Sequence, residues 1–256
     1  MNQTLRLPLL FVATLNAMVA AADESPFPVT YDWGKIITTA NTVELHVTSA
    51  PDDQLVQIPR FNNPYKRIHL KSDPKKKPLT FRPEVSEWLI TLPKSATTPS
   101  TIVIETVGSP QLLTKPFITK AGSNGEFLLP AHHAIVHGKL LRYEPQPHKN
   151  TVGYWADEKD WCEWQIEAQE PAKYEVHILQ GCGKDHGGSE VQISIGKSEL
   201  TFAVEDTGHF QKFKDRNVGT LTITKAGRQS LKVVPVSKAK AAVMDVRQIR
   251  LVRADR

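Results

Sequence analysis

Between Tyr154 and Ile178 the chain carries three tryptophans and two tyrosines, out of five of each in its 256 residues. Rings at that density fill a core, or they offer flat faces on which a ligand stacks while polar neighbours hold its hydroxyls. Spacing separates the two uses. Cys162, Trp164 and Ile166 share one face of a strand, in phase with Tyr174, Val176 and Ile178, which predicts core positions for Trp164 and Tyr174. Trp161 falls on the opposite face with Glu163 and Gln165. Tyr154 and Trp155 precede that strand, between Gly153 and the acidic Asp157-Glu158, in a segment that reads as a loop. Rings on a loop at the rim of a β-framework are candidates for ligand contact.

Other groups give weaker patterns. His132-His133 with His137 has a metal-like look, but adjacent histidines on a strand point to opposite faces and no carboxylate is near in sequence. Solvated imidazoles and no metal site are expected. The pairs Asp160/Glu163 and Glu205/Asp206 are expected as loop anchors or surface charge rather than acid/base partners. Gly181-Cys182-Gly183 and Gly187-Gly188 lack any phosphate-binding pattern and read as a turn. Pro171-Ala172 reads as the turn of a hairpin with strands 161–167 and 174–181, which would set Cys162 opposite Cys182. A disulfide between them, favoured in oxidising compartments, and two buried free thiols both stay open.

The elements that must position these groups are strands. The segments 41–47, 88–92, 101–107, 174–178, 191–195 and 221–223 are short, β-branched and largely alternating, with turn residues between them. Eighteen prolines and fourteen glycines fit a turn-rich chain, and no long stretch carries a helical apolar stripe. The expected fold class is all-β, with two consecutive antiparallel β-sandwiches over 25–110 and 132–254 and a connection at 111–131. Residues 1–22 have a basic start, an apolar run and small residues at 20–22, the layout of a cleaved signal peptide. The product is then expected to be secreted, periplasmic or at the cell surface, without a membrane span. The formal charge of +5 is modest, and its densest run, KRIHLKSDPKKK at 66–77, is broken by a turn at Asp73-Pro74. Nucleic acid is therefore not an expected partner.

Several motifs resemble known families. The run DWCEWQIEAQEPAKYEVHILQGCGKDHGGSEVQISIG, followed by VEDTGHFQKF, GTLTITKAGRQSLKVVP and AVMDVRQIRLV, resembles carbohydrate-binding modules of families 6 and 35, over about 133–253. This implies a jelly-roll-like second sandwich. It also implies a glycan cleft at the loop rim: a ring at Tyr154 with Trp155 beside it, a second ring at Phe210 where the family has tryptophan, and Asp245 where it has asparagine. Structural calcium, held in such modules by acids near the first and last strands, is not expected, because Arg247 stands at the last-strand position and Glu144 is the one acid near the first. The earlier motifs, Trp33-Gly34, LHV at 45–47, LVQIP at 55–59, LKSDPKKKPL at 70–79, ITLP at 90–93 and IVIE at 102–105, resemble the C-terminal β-sandwich of family 29 α-L-fucosidases. The catalytic barrel of that family, roughly 200 residues or more, has no counterpart before Trp33, so no catalytic residue is carried over.

Taken together, the resemblances imply a non-catalytic, secreted binder of a polysaccharide or glycoconjugate. Two rival classes stay open: an accessory subunit or remnant of a fucosidase-like glycosidase, and a structural module that docks a cell-surface protein.

Overall fold

A computed structural model describes residues 30–112 and 116–254; the predicted signal peptide lies outside the described residues. The alternation read in the sequence becomes strands whose every second side chain is buried, as in Thr42–Val47 and Trp161–Ala168. Residues 34–106 form β1 (Gly34–Thr38), β2 (Thr42–Val47), β3 (Leu55–Pro59), β4 (Tyr65–Leu70), β5 (Phe81–Pro83), β6 (Glu87–Thr91) and β7 (Ser100–Thr106). They make two antiparallel sheets, ordered β1-β2-β7-β4 and β3-β6-β5. Trp33 stitches them by donating its indole N–H to the carbonyl of Gln57 at 3.1 Å.

Residues 118–253 form β8 (Ile118–Lys120), β9 (Phe127–Pro130), β10 (Ile135–His137), β11 (Arg142–Glu144), β12 (Thr151–Gly153), β13 (Trp161–Ala168), β14 (Ala172–Cys182), β15 (Glu190–Ile195), β16 (Ser198–Ala203), β17 (His209–Ile223), β18 (Gly227–Ser237) and β19 (Asp245–Arg253). One sheet runs β10-β13-β18-β15-β16, with β8 parallel to β13; the other runs β11-β12-β19-β14-β17, with β9 on β19. The stretch expected as a connection thus gives one strand to each of these sheets. Between them lie Trp164, whose Nε1 donates across the sandwich to the Pro130 carbonyl at 2.8 Å, and Tyr174; both are buried, as their spacing predicts. The all-β class holds throughout: the one helical element among the described residues is a single 3-10 turn, Ala131–His133.

Two expectations fail here. β13 and β14 do not form a hairpin. β13 pairs with β10 and β18, while β14 pairs with β17 and β19, so the short link at 169–171 crosses from one sheet to the other. Cys162 and Cys182 consequently lie in different sheets, and both are buried free thiols. Burial is the first cause that pushes each thiol up, Cys182 to about 11. His132 and His133 are not solvated as expected, while His137 stays about one third exposed. His132 and His133 sit in the 3-10 turn, where burial first, and neighbouring charge second, push both down to about 4. His133 stacks on Phe117 at 3.6 Å and His137 on Trp161 at 3.8 Å.

The two halves touch through charged side chains. Arg60, fully buried, donates to the carbonyl of Ala134 at 3.3 Å and lies 5.3 Å from the ring centre of Tyr143. Arg142 of β11 pairs with Glu84, on the β5–β6 connection, at 3.1 Å. No helix among the described residues is long and apolar enough to cross a membrane.

Candidate functional site

β12 ends at Gly153, and the chain turns sharply: Tyr154 has a left-handed backbone, φ 59°. That geometry throws the Tyr154 side chain outward, 51% exposed. Its ring is not loose, because the Arg142 guanidinium lies 3.9 Å from the ring centre. Trp155 goes the other way. It is 1% exposed and donates Nε1–H to the Asp160 carbonyl at 2.8 Å. Asp160 in turn accepts the backbone N–H groups of Lys139, Leu140 and Leu141, each at 2.8 Å, and so anchors the loop as expected. Trp155 is therefore a core residue that shows only part of its surface to the site.

Phe210 enters from the start of β17. A Cβ built on Gly183 would lie 2.6 Å from the Phe210 ring, and one on Gly181 1.9 Å from the Phe210 carbonyl oxygen. Gly181 and Gly183 thus leave room for Phe210 to pack closely against the end of β14 and the turn after it. His186 meets the same ring at 5.5 Å, edge to face. Asp245 opens β19 beneath these rings, 4% exposed, with Gln211 Nε2 3.5 Å from its Oδ2.

These residues line one cavity of about 350 Å³. Tyr154, Trp155 and Ala156 form one wall, His186, Phe210 and Gln211 another, and Ala241 and Ala242 leave room at the side. Glu144, Lys149 and Asp245 complete the lining. All four residues expected at the cleft are brought together, with Trp155 mostly withdrawn. Arg142, Lys149, His186 and Gln211 were not legible as site residues. They come from three separate segments, the β11–β12 hairpin, the turn after β14 and β17, and no local pattern marks a residue that meets its partners only after folding.

The electrostatics of the cavity are uneven. Glu144 is 5% exposed and takes Lys149 Nζ on Oε1 at 2.7 Å. Burial is the first cause that raises the Asp245 carboxyl, to about 8; the Glu144 charge raises it further, while Lys149, Gln211 and Arg247 pull the other way. Arg247 donates Nε–H to the Lys149 carbonyl at 3.0 Å and Nη2–H to the carbonyls of His148 at 2.8 Å and Lys149 at 2.7 Å. A guanidinium of the chain's own thus satisfies carbonyls of this loop. Among the described residues no group of three His, Cys, Asp or Glu side chains is placed to hold a metal ion.

The site and fold define an all-β protein with a ring-lined cavity at the edge of its second pair of sheets. Residues 143–255 match a family described as "Domain of unknown function (DUF5077)". No curated protein matches the chain. Among solved structures, it is similar to the α-L-fucosidase from Vibrio sp. strain EJY3 (16% identity, 89% of this chain and 41% of that one, TM-score 0.35). It is also similar to a family 35 carbohydrate-binding module from Clostridium thermocellum (14% identity, 50% of this chain and 98% of that one, TM-score 0.40). A third is the C-terminal family 6 module of a laminarinase from Zobellia galactanivorans (16% identity, 50% and 98%, TM-score 0.41). Both kinds of protein that the sequence motifs resemble are thus among the similar structures, and the chain spans about two fifths of the fucosidase's length.

Proposed function

We propose that the protein is a non-catalytic carbohydrate-binding protein that works outside the cytoplasm and holds a polysaccharide or glycoconjugate in the cavity between Tyr154 and Phe210. The observation that carries this reading is the convergence of an exposed, cation-backed Tyr154 ring, the Phe210 ring and the buried Asp245 carboxyl on one cavity of about 350 Å³. A volume of that size admits one or two sugar residues. The rings supply apolar faces for the C–H side of a sugar, and Asp245 and Gln211 supply hydrogen bonds to its hydroxyls.

The test is retention of the mature protein on a glycan array and on insoluble polysaccharides, beside a Tyr154→Ala/Phe210→Ala double variant. Each ring contributes about 1 kcal/mol, so the double variant should bind roughly tenfold or more weakly. Equal retention of both proteins would move the site elsewhere, and no retention of either would end the carbohydrate reading.

A further inference from the structure

The cavity is floored by two acids that have not been given a full set of partners. Glu144 closes β11 and Asp245 opens β19, and both are more than nine-tenths buried. A Cβ at Gly153 would lie 2.7 Å from Asp245 Oδ1 and 2.8 Å from Glu144 Oε2. The two oxygens therefore converge on the space that the missing side chain leaves. Among the described residues neither accepts a hydrogen bond: Lys149 is on the other oxygen of Glu144, and Gln211 is on the other oxygen of Asp245. Two ionised carboxylates so placed repel each other, and a proton on Asp245 removes the repulsion. A buried carboxyl that keeps its proton has one donor and one acceptor, the hydrogen-bonding capacity of a primary amide edge.

We propose that Glu144 and a protonated Asp245 form the hydroxyl-reading floor of the cavity, which selects uncharged saccharides and rejects those carrying carboxylate or sulfate. The proposal rests on the carbohydrate-binding reading and adds the ligand class. A sugar hydroxyl both donates and accepts, so it matches a floor of one O–H and three lone-pair-bearing oxygens. A uronate or sulfate would bring a further charge against Glu144, while the nearby cations are engaged, Lys149 by Glu144 and Arg247 by loop carbonyls. The groups that face Asp245 from the packed elements are Glu144 on β11, Lys149 on the loop after it, Cys182 on β14 and Arg247 on β19 itself. Asp206 before β17 faces Cys182 from the other side, and His186 lines the cavity. The Asp245 carboxyl is raised to about 8, so its proton is present at neutral pH and leaves as the solution turns alkaline.

The experiment measures retention of the full chain on immobilised β-glucan, xylan and mannan, on polygalacturonate, alginate and carrageenan, and on chitosan, at pH 5.5, 7.0 and 9.5. The Asp245→Asn, His186→Gln and Tyr154→Ala variants are run alongside, with circular dichroism at each pH to confirm folding. Retention is expected on at least one neutral polymer and on none of the acidic ones, with a fall of about tenfold between pH 7.0 and 9.5. The ratio of retention at those two pH values should drop to about one in Asp245→Asn and persist in His186→Gln. Preference for an acidic polymer or for chitosan, lost in Tyr154→Ala, would overturn the proposal and leave the carbohydrate reading standing. So would a flat pH profile in the natural protein, or an alkaline fall that Asp245→Asn retains. No retention on any polymer would overturn both.

Discussion

Asp245 binds a proton more tightly folded than unfolded, and that has a cost for the fold. Its carboxyl moves from an ordinary value of 3.8 to about 8. The unfolded chain gives up this proton at the lower pH and the folded chain only at the higher one. Between those values the unfolded state binds fewer protons, so stability falls as pH rises. Asp245→Asn removes the titration. Its melting temperature should match or exceed that of the natural protein, with a gap that widens from about pH 4 to pH 8 and is constant above. Thermal melts across that range check this; a gap that narrows with rising pH would refute it. Tyr154 shows the same principle in another form. A side chain on a left-handed backbone is uncommon, and here it accompanies the one large ring that the cavity turns outward.

At the scale of the element, the start of β17 is set by what the end of β14 and the turn after it omit. Gly183→Ala would drive a methyl group to 2.6 Å from the Phe210 ring. The ring must then lift from its seat, so binding should weaken severalfold while stability falls by about 1–3 kcal/mol, the usual range for overpacking. Retention and denaturant melts read the two effects separately; unchanged binding would show that Phe210 is not a platform. The sequence made the strands visible, because alternation is a local signal. It showed the faces too: Cys162, Trp164, Ile166, Tyr174, Val176 and Ile178 are all buried. It could not show which strands pair. A three-residue link between alternating strands looks the same whether the chain folds back within a sheet or crosses to the next, and that ambiguity misplaced Cys162 opposite Cys182. The histidines failed for a related reason. His132 and His133 were read with strand geometry, but the chain makes a 3-10 turn there and tucks both rings against neighbours. Tyr154 was legible from its place on a loop ahead of a strand, whereas Phe210 and Asp245 were legible only through family resemblance; Glu144 stood out only as an acid near the first strand, and Arg142 behind Tyr154 carried no signal.

At the scale of the whole molecule, the two halves meet behind the site. Glu84 lies between β5 and β6 in the first half and holds Arg142 at 3.1 Å; Arg142 in turn backs the Tyr154 ring at 3.9 Å. The pair is partly exposed, so its contribution to stability is at most about 1 kcal/mol. Its effect on the ring's position is a separate matter. Glu84→Ala should leave the melting temperature nearly unchanged and weaken polysaccharide retention about twofold to fivefold, whereas Arg82→Ala, which removes the other partner of Glu84, should not. Equal retention in Glu84→Ala would show that the first half does not act on the site. The strands before residue 131 bear on the same division of the chain. β8 pairs with β13 in one sheet and β9 with β19 in the other, and β9 buries Phe127 and Leu129 completely. Two such side chains are worth on the order of 5 kcal/mol, as much as a small domain's whole stability. Residues 118–130 therefore act as a lace threaded through both lips of the second sandwich, and a piece of this chain that closes that core must include Phe127 and Leu129, well before the first residue that the family match covers.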